Sequence, residues 1–543
     1  MKYHLAFCFW ACLSASLSAQ NLPSVQEVYK VFQAKCVSCH KNSDPLGGLS
    51  LEGTGATELL KAINVAQKLV NVAPVNTFAQ GKGYKRIVPG RPDRSFLFRK
   101  INGNLEPTIE ALHASEGNPM PNYGGAAMTS IEKEIIRQWI LYGAKTTGVL
   151  FDKSLVENFY NNGGEKSFPD GPPPAPAPGE GFQLKMGPFF LPPDGEVEYY
   201  QKYQLSLPAD VEVNRLDFKI SNYSHHFILY NFTGSTPGSN VPDGLRLEAN
   251  HTDISLVAAV QEALELRLPQ TTAFKWNKNI VLDFNSHYIN YSLNRVYQCE
   301  AYVNVYTQTP GTADQEMFAA LLVRPNIPIA NNGNQISYSQ PVFQVGADSI
   351  YIWGLMGHTH KYGTGYKAWY RKANGQKGEQ IYDASCPMGV PNCPSPYYDY
   401  RHIPIRYWEP LLPVKWSEGI IHEAQWVNDG PKSVNFGPTS DDEMMVLIAF
   451  YTLQPITVAT GEPGAVADDP ILVTPNPATA RAILQLPGQQ HIRQFRLFDG
   501  TGRLLQLRHD LHGNTIEVDL SEVPPGIYLF HADGHSGRIV VQR

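Results

Sequence analysis

A chain of 543 residues is longer than one hydrophobic core organises, so several domains are expected. A net charge of −6 and a pI near 6.2 give no basic surface, which excludes nucleic acid as the expected partner. Gly (45), Pro (42) and Tyr (28) are abundant and charged residues make up only 17%, a balance that disfavours a helical cytosolic enzyme and favours exported, turn-rich β domains.

Residues 1–19 read as a signal peptide. Lys2 gives the positive start, Leu5–Leu17 is mainly apolar, and Ser16, Ser18 and Ala19 precede Gln20. The run is too short to cross a bilayer, and no later stretch is long enough. Its removal takes Cys8 and Cys12 with it.

Residues 20–150 are expected to form a helical unit. Cys36-Val37-Ser38-Cys39-His40 is the attachment signature of a covalent c-type haem, with both thiols bonded to the macrocycle and His40 on the iron. The alternatives are a zinc half-site, which would want a second C-x-x-C that the chain lacks, and a disulfide; export suits haem attachment. The apolar spacing of Val25–Phe32 predicts a helix leading into the motif. Further on, Gly117-Asn118-Pro119-Met120-Pro121 sets a thioether between two prolines, ahead of an amphipathic helix over Ile131–Tyr142. This resembles the Met-Pro loop of class I cytochromes c. The resemblance implies Met120 as the second axial ligand, with Met128 and His113 as alternatives.

The run Phe168–Gly179 is rich in proline and reads as a semi-rigid spacer, giving a linker over 168–181. From Phe182 to about Tyr451 the pattern is one of short alternating strands, among them Val211–Ile220, Phe227–Phe232, Asn279–Phe284, Tyr297–Tyr306 and Met444–Tyr451. Four histidine-bearing or acidic segments punctuate it. Ser224-His225-His226-Phe227 opens one strand, and two neighbours there can reach a single metal only at a bulge or turn. Asn285-Ser286-His287-Tyr288 ends another. Ile350–Leu355 runs into Gly357-His358-Thr359-His360, where strand alternation points His358 and His360 the same way. Thr439-Ser440-Asp441-Asp442-Glu443-Met444 precedes the last strand.

This ordered set resembles the type II copper, ascorbate-dependent monooxygenases, the peptidylglycine α-hydroxylating and dopamine β-hydroxylating enzymes. The resemblance implies two jelly-roll-type β-sandwiches, over 182–309 and 310–456, and two separate copper ions. His225, His226 and His287 would hold one. His358, His360 and Met444 would hold the other, where oxygen binds and a substrate C–H bond is attacked. Imidazoles suit both copper oxidation states and a soft thioether favours the reduced one. The sequence departs from the peptide-amidating members at three places. Met356 stands where they carry a substrate-gripping arginine, and Val446 and Ile448 replace an asparagine and a tyrosine. A small organic substrate other than peptidyl-glycine is therefore expected.

Cys386 and Cys393 enclose a short loop and are read as a disulfide, leaving Cys299 as a buried thiol, although three cysteines allow other pairings. His251, His402 and His422 fall outside the family positions and are read as structural or exposed. After an acidic spacer over Gly461–Asp469, residues 468–543 open with Pro475-Asn476-Pro477 and close with Gly526-Ile527-Tyr528 before a final strand over Arg538–Val541. This resembles the C-terminal sorting domain of type IX secretion, a small Ig-like β-sandwich that implies the type IX machinery as a partner and the cell surface or the medium as destination.

The expected whole is a multidomain, mainly β protein: a secreted copper monooxygenase using O2, with one haem c of its own. Its electrons would come through that haem or from ascorbate or another redox protein. The competing expectation is a non-catalytic surface protein that carries copper or electrons.

Overall fold

The computed structural model describes residues 22–122, 124–345, 348–385, 398–401, 403–456, 472–485, 495–499, 504–505, 507–532 and 535–542. The signal peptide, the Cys386–Cys393 loop, His402 and the acidic spacer lie outside them. The chain is multidomain and mainly β, and it falls into two compact units, Met1–Gly163 and Gly164–Arg543. Among the described residues no helix is long and apolar enough to cross a membrane.

The first unit is helical: α1 (Ser24–Lys35), α2 (Glu58–Leu69), α3 (Thr77–Gly81), α4 (Phe96–Ile101), α5 (Ser130–Leu141) and α6 (Lys153–Asn162). Helix α1 buries Val25, Val28, Val31 and Phe32, the i, i+3, i+4 face of its sequence, against a core shared with Ile136, Trp139 and Ile140 of α5. Thr129 starts α5 with a capping box, its hydroxyl accepting from Glu132 N–H while the Glu132 carboxylate accepts from Thr129 N–H. Helix α6 extends this unit past residue 150 and buries Val156 and Phe159.

The second unit begins before the Pro-rich stretch. Glu165–Lys166 already pairs in a sheet, and the carbonyls of Pro173 and Pro174 accept from Gln183 and Asn304. The stretch read as a semi-rigid spacer is bound to the β unit, because polyproline backbone leaves every carbonyl open to a donor. The longer strands of the body include β1 (Gly181–Leu191), β2 (Glu196–Gln204), β3 (Val211–Lys219), β4 (Ser224–Phe232), β5 (Ile254–Val260), β6 (Val281–Ile289), β7 (Tyr297–Gln308), β8 (Phe318–Val323), β9 (Gln335–Val342), β10 (Ser349–His358), β11 (Gly363–Arg371), β12 (Lys377–Asp383), β13 (Arg406–Lys415), β14 (Ile420–Val427) and β15 (Val446–Thr452). One nine-stranded sheet runs β13-β10-β15-β8-β5-β4-β6-β2 and ends on Leu245–Arg246.

That sheet crosses the expected boundary at 309/310. Strand β8 of the second half pairs with β5 of the first through Ala319 and Leu256, so one sheet runs through both expected domains. On the first half, the sheet containing β1, β3 and β7 meets it through Phe189 against Tyr199 and Tyr288 and through Phe218 against Phe227. On the second, the four-stranded sheet β9-β14-β11-β12 brings Tyr366 and Tyr382 against β10. A Cβ on Gly357 would stand 2.4 Å from the Tyr366 ring, which is why glycine precedes His358. The C-terminal segment, from Leu472, forms two further four-stranded sheets around Leu484, Leu497, Val518 and Phe530.

Candidate functional site

Strands β4, β6 and β10 deliver their histidines to one place. In the β4–β6 ladder His287 pairs with His226 and Tyr288 pairs with Ser224, so His225 is the extra residue of a bulge. That bulge lets two consecutive imidazoles reach the same point, the condition the sequence imposed. Strand β10 ends on His358, and its ring lies 5.2 Å from that of His360 just beyond. Met444 follows Glu443, whose carboxylate accepts from the backbone N–H groups of His360, Tyr362 and Met444 and from the Trp426 indole. Burial pushes Glu443 up to about 7 against those four donors.

All five histidines are buried, and each ring lies beside at least two of the others. Ring centroids are 5.1–5.7 Å apart within the His225, His226, His287 group, and across to the other pair His225 lies 5.8 Å from His358 and 5.5 Å from His360, with His226 6.0 Å from His358. The two triads expected as separate copper sites therefore adjoin, with the His225 ring beside both His358 and His360. The shared sheet carries β10 and β4 toward a common point.

Most of these rings are held from behind. His287 Nε2 donates to Glu196 at 2.7 Å, His226 Nε2 to Asn285 at 2.9 Å with Glu198 at 3.3 Å, and His360 Nδ1 to the Asp442 carbonyl at 3.1 Å. The Gln261 amide sits 2.9 Å from His358 Nδ1. The opposite nitrogens, His226 Nδ1, His287 Nδ1 and His360 Nε2, together with His225 Nε2, are buried and meet no hydrogen-bond partner. A ring fixed through one nitrogen and bare at the other is the state in which imidazole accepts a metal ion. The site favours the neutral form: burial first, then neighbouring imidazoles, hold His225 and His358 well below the usual histidine range and His360 down to about 4. Burial opposes ionisation of Glu196 and Glu198, yet hydrogen bonds from His287 and Ser440, and from His226 and Asn285, hold both carboxyls down to about 2.

These supporting groups went unassigned in the sequence. Glu196-Val197-Glu198 at the start of a strand has the same alternation as His358-Thr359-His360, and that was the signal available. His251 lies against Asp283 and His422 against Tyr366, both away from the cluster. Cys299 is a buried free thiol, as expected.

The helical unit holds a second candidate site, a cavity of 560 Å³ whose wall includes Cys36, Cys39, His40, Met120 and Met128. His40 Nδ1 donates to the Leu49 carbonyl at 3.1 Å, which turns Nε2 toward a ligand. The Met120 loop is tied to α4, since Met120 N–H donates to the Lys100 carbonyl at 2.7 Å and Lys100 Nζ to the Glu116 carbonyl at 2.9 Å. His113 instead stacks on Phe78 at 4.4 Å and caps the Ala114–Glu116 turn.

Comparison with known proteins identifies the tail. Residues 472–542 match the secretion system C-terminal sorting domain, so the chain is exported by the type IX route to the cell surface or the medium, and the type IX machinery is a partner. No curated protein matches the chain. Among solved structures the chain is similar to the STIV MCP (11% identity, 52% of this chain and 100% of that one, TM-score 0.26). It is also similar to the major capsid protein P2 from Bacteriophage PM2 (5% identity, 50% and 99%, TM-score 0.23) and to dimeric latent PorU from Porphyromonas gingivalis (13% identity, 63% and 33%, TM-score 0.12). TM-scores this low carry no argument about fold or function.

Proposed function

We propose that this exported protein is a copper-dependent monooxygenase that hydroxylates a C–H bond of a small organic substrate with dioxygen. The observation that carries the reading is the convergence of five buried imidazoles, four of them with a donor nitrogen that meets no partner. Leaving such atoms bare in a core costs about 1–3 kcal/mol each, and a metal ion is the ligand that recovers it. Acceptors behind His226, His287 and His360 set the tautomer that binds a metal.

When bound, copper at His225, His226, His287, His358, His360 and Met444, and haem c at Cys36, Cys39 and His40 with Met120, supply one-electron redox chemistry toward dioxygen. In the net reaction C–H becomes C–OH, the second oxygen atom leaves as water, and two electrons and two protons are consumed. Those electrons come from ascorbate, from another redox protein, or through the haem unit, whose covalent tether raises its local concentration. On this reading the helical unit is a class I cytochrome c-like domain, the two halves of the β body are jelly-roll-type, and the tail is Ig-like.

The chain's own residues shape the substrate side. Met356 pairs across the ladder with Ile448, and His358 with Val446, so an apolar ladder adjoins the histidines. No carboxylate clamp stands at those positions, which supports a substrate other than peptidyl-glycine. The test is oxygen uptake in the copper-loaded protein. Substrate-dependent uptake is expected, with at least a hundredfold loss in Met444→Ala while the imidazole ligands remain. Copper retained with no uptake for any substrate would leave a non-catalytic copper carrier.

A further inference from the structure

Resting on that reading of the histidines as copper ligands, the geometry raises the question of which imidazoles share an ion. The resemblance sorts them by sequence into two triads, yet His225 lies 5.8 Å from His358 and 5.5 Å from His360, ring centre to ring centre, against 5.7 Å to His226 and 5.1 Å to His287. Among the described residues, the group of three whose donor nitrogens all lie within 4.8 Å of one another is a mixed one, His225, His226 and His358. Two nitrogens on opposite sides of one ion stand about 4.2 Å apart at metal–nitrogen distances of about 2.1 Å, so this trio is close to the span a single ion requires. The halves of the β body are also pinned together around it. Glu196 of the first half accepts from Ser440 N–H at 2.8 Å and from its hydroxyl at 2.7 Å, while holding His287. Gln261, also of the first half, reaches His358 at 2.9 Å and the Tyr400 carbonyl at 3.2 Å.

We propose that the first copper ion is bound by this mixed trio, His225, His226 and His358, drawn from both triads, so that the five imidazoles are one composite centre rather than two independent ones. His287 and His360 flank the trio from opposite halves. Gln261 positions His358 from across the junction and contributes no ligand atom of its own.

The experiment adds one equivalent of Cu(II) to the metal-free full chain and records its EPR spectrum and its affinity against a competing chelator. His226→Ala and His358→Ala, one from each triad, are each expected to weaken the first equivalent at least tenfold and to change its spectrum. Gln261→Ala, a milder change that keeps every ligand, is expected to weaken the same equivalent and serves where an alanine at a histidine prevents folding. An unchanged first-equivalent spectrum and affinity in either His226→Ala or His358→Ala would overturn the mixed trio, as would an unaffected first equivalent in Gln261→Ala. Absence of any copper binding by the wild-type chain would instead overturn the copper reading itself.

Discussion

Glu196 shows how much of the site rests on residues that touch no ion. Its carboxylate holds His287 by Nε2 at 2.7 Å and the Ser440 loop ahead of Met444, and it stays ionised through those bonds. Glu196→Gln keeps the size and removes the charge, so copper affinity is expected to fall roughly 10–100-fold, measured by chelator competition, with the fold intact by circular dichroism. In the helical unit the residue question is which methionine would face the iron of the proposed haem, because Met120 and Met128 both line the cavity. Met120 sits on the loop anchored to Lys100, and thioether ligation raises a haem potential. Met120→Ala is expected to lower the midpoint in a potentiometric titration, while Met128→Ala leaves it unchanged.

Among the elements, β4 is the clearest case of a local irregularity with a purpose. A regular strand would turn His225 and His226 to opposite faces, and the bulge opposite His287 and Tyr288 removes that conflict. Strand β14 carries a different histidine. His422 is fully buried, its Nδ1 lies 2.7 Å from the Tyr366 hydroxyl, and burial together with the nearby Arg324 charge holds it down to about 3. A folded-state value below the unfolded one gives stability that is whole above about pH 6.5 and is lost as pH falls toward 3. From pH 7 to pH 5 this residue alone removes about 2 kcal/mol, since each pH unit below 6.5 contributes about 1.4 kcal/mol. His422→Gln is expected to flatten the pH dependence of denaturant unfolding in the metal-free protein by that amount. An unaltered slope between those two pH values would show that His422 is charged in the folded state.

At the scale of the whole molecule, the continuous nine-stranded sheet makes the site a property of both halves of the β body at once, since β4 and β6 belong to one and β10 and β15 to the other. The tail is separate in purpose. Its two small sheets close around their own core, and residues 472–542 serve delivery. A chain ending at residue 456 is expected to accumulate inside the outer membrane rather than at the surface, which cell fractionation checks. Its copper content should match that of the full chain, because His225, His226, His287, His358 and His360 all precede residue 457.

How far the sequence reached differs from part to part, for physical reasons. Strand periodicity gave the β character of the body, with edges displaced by a few residues. The expected Phe227–Phe232 begins at Ser224 and the expected Asn279–Phe284 runs from Val281 to Ile289, because the histidines themselves pair in the ladder. The short motif Pro475-Asn476-Pro477 through Gly526-Ile527-Tyr528 was enough to read the tail, since an address must be carried by local residues. Cys36, Cys39 and His40 are close in the chain as well, and the cavity they line is where the proposed haem would sit. What no stretch of sequence contained was the distance from His225 to His358. Those residues are far apart along the chain, and the pairing of β5 with β8, which joins the halves into one sheet, helps bring their rings within 5.8 Å.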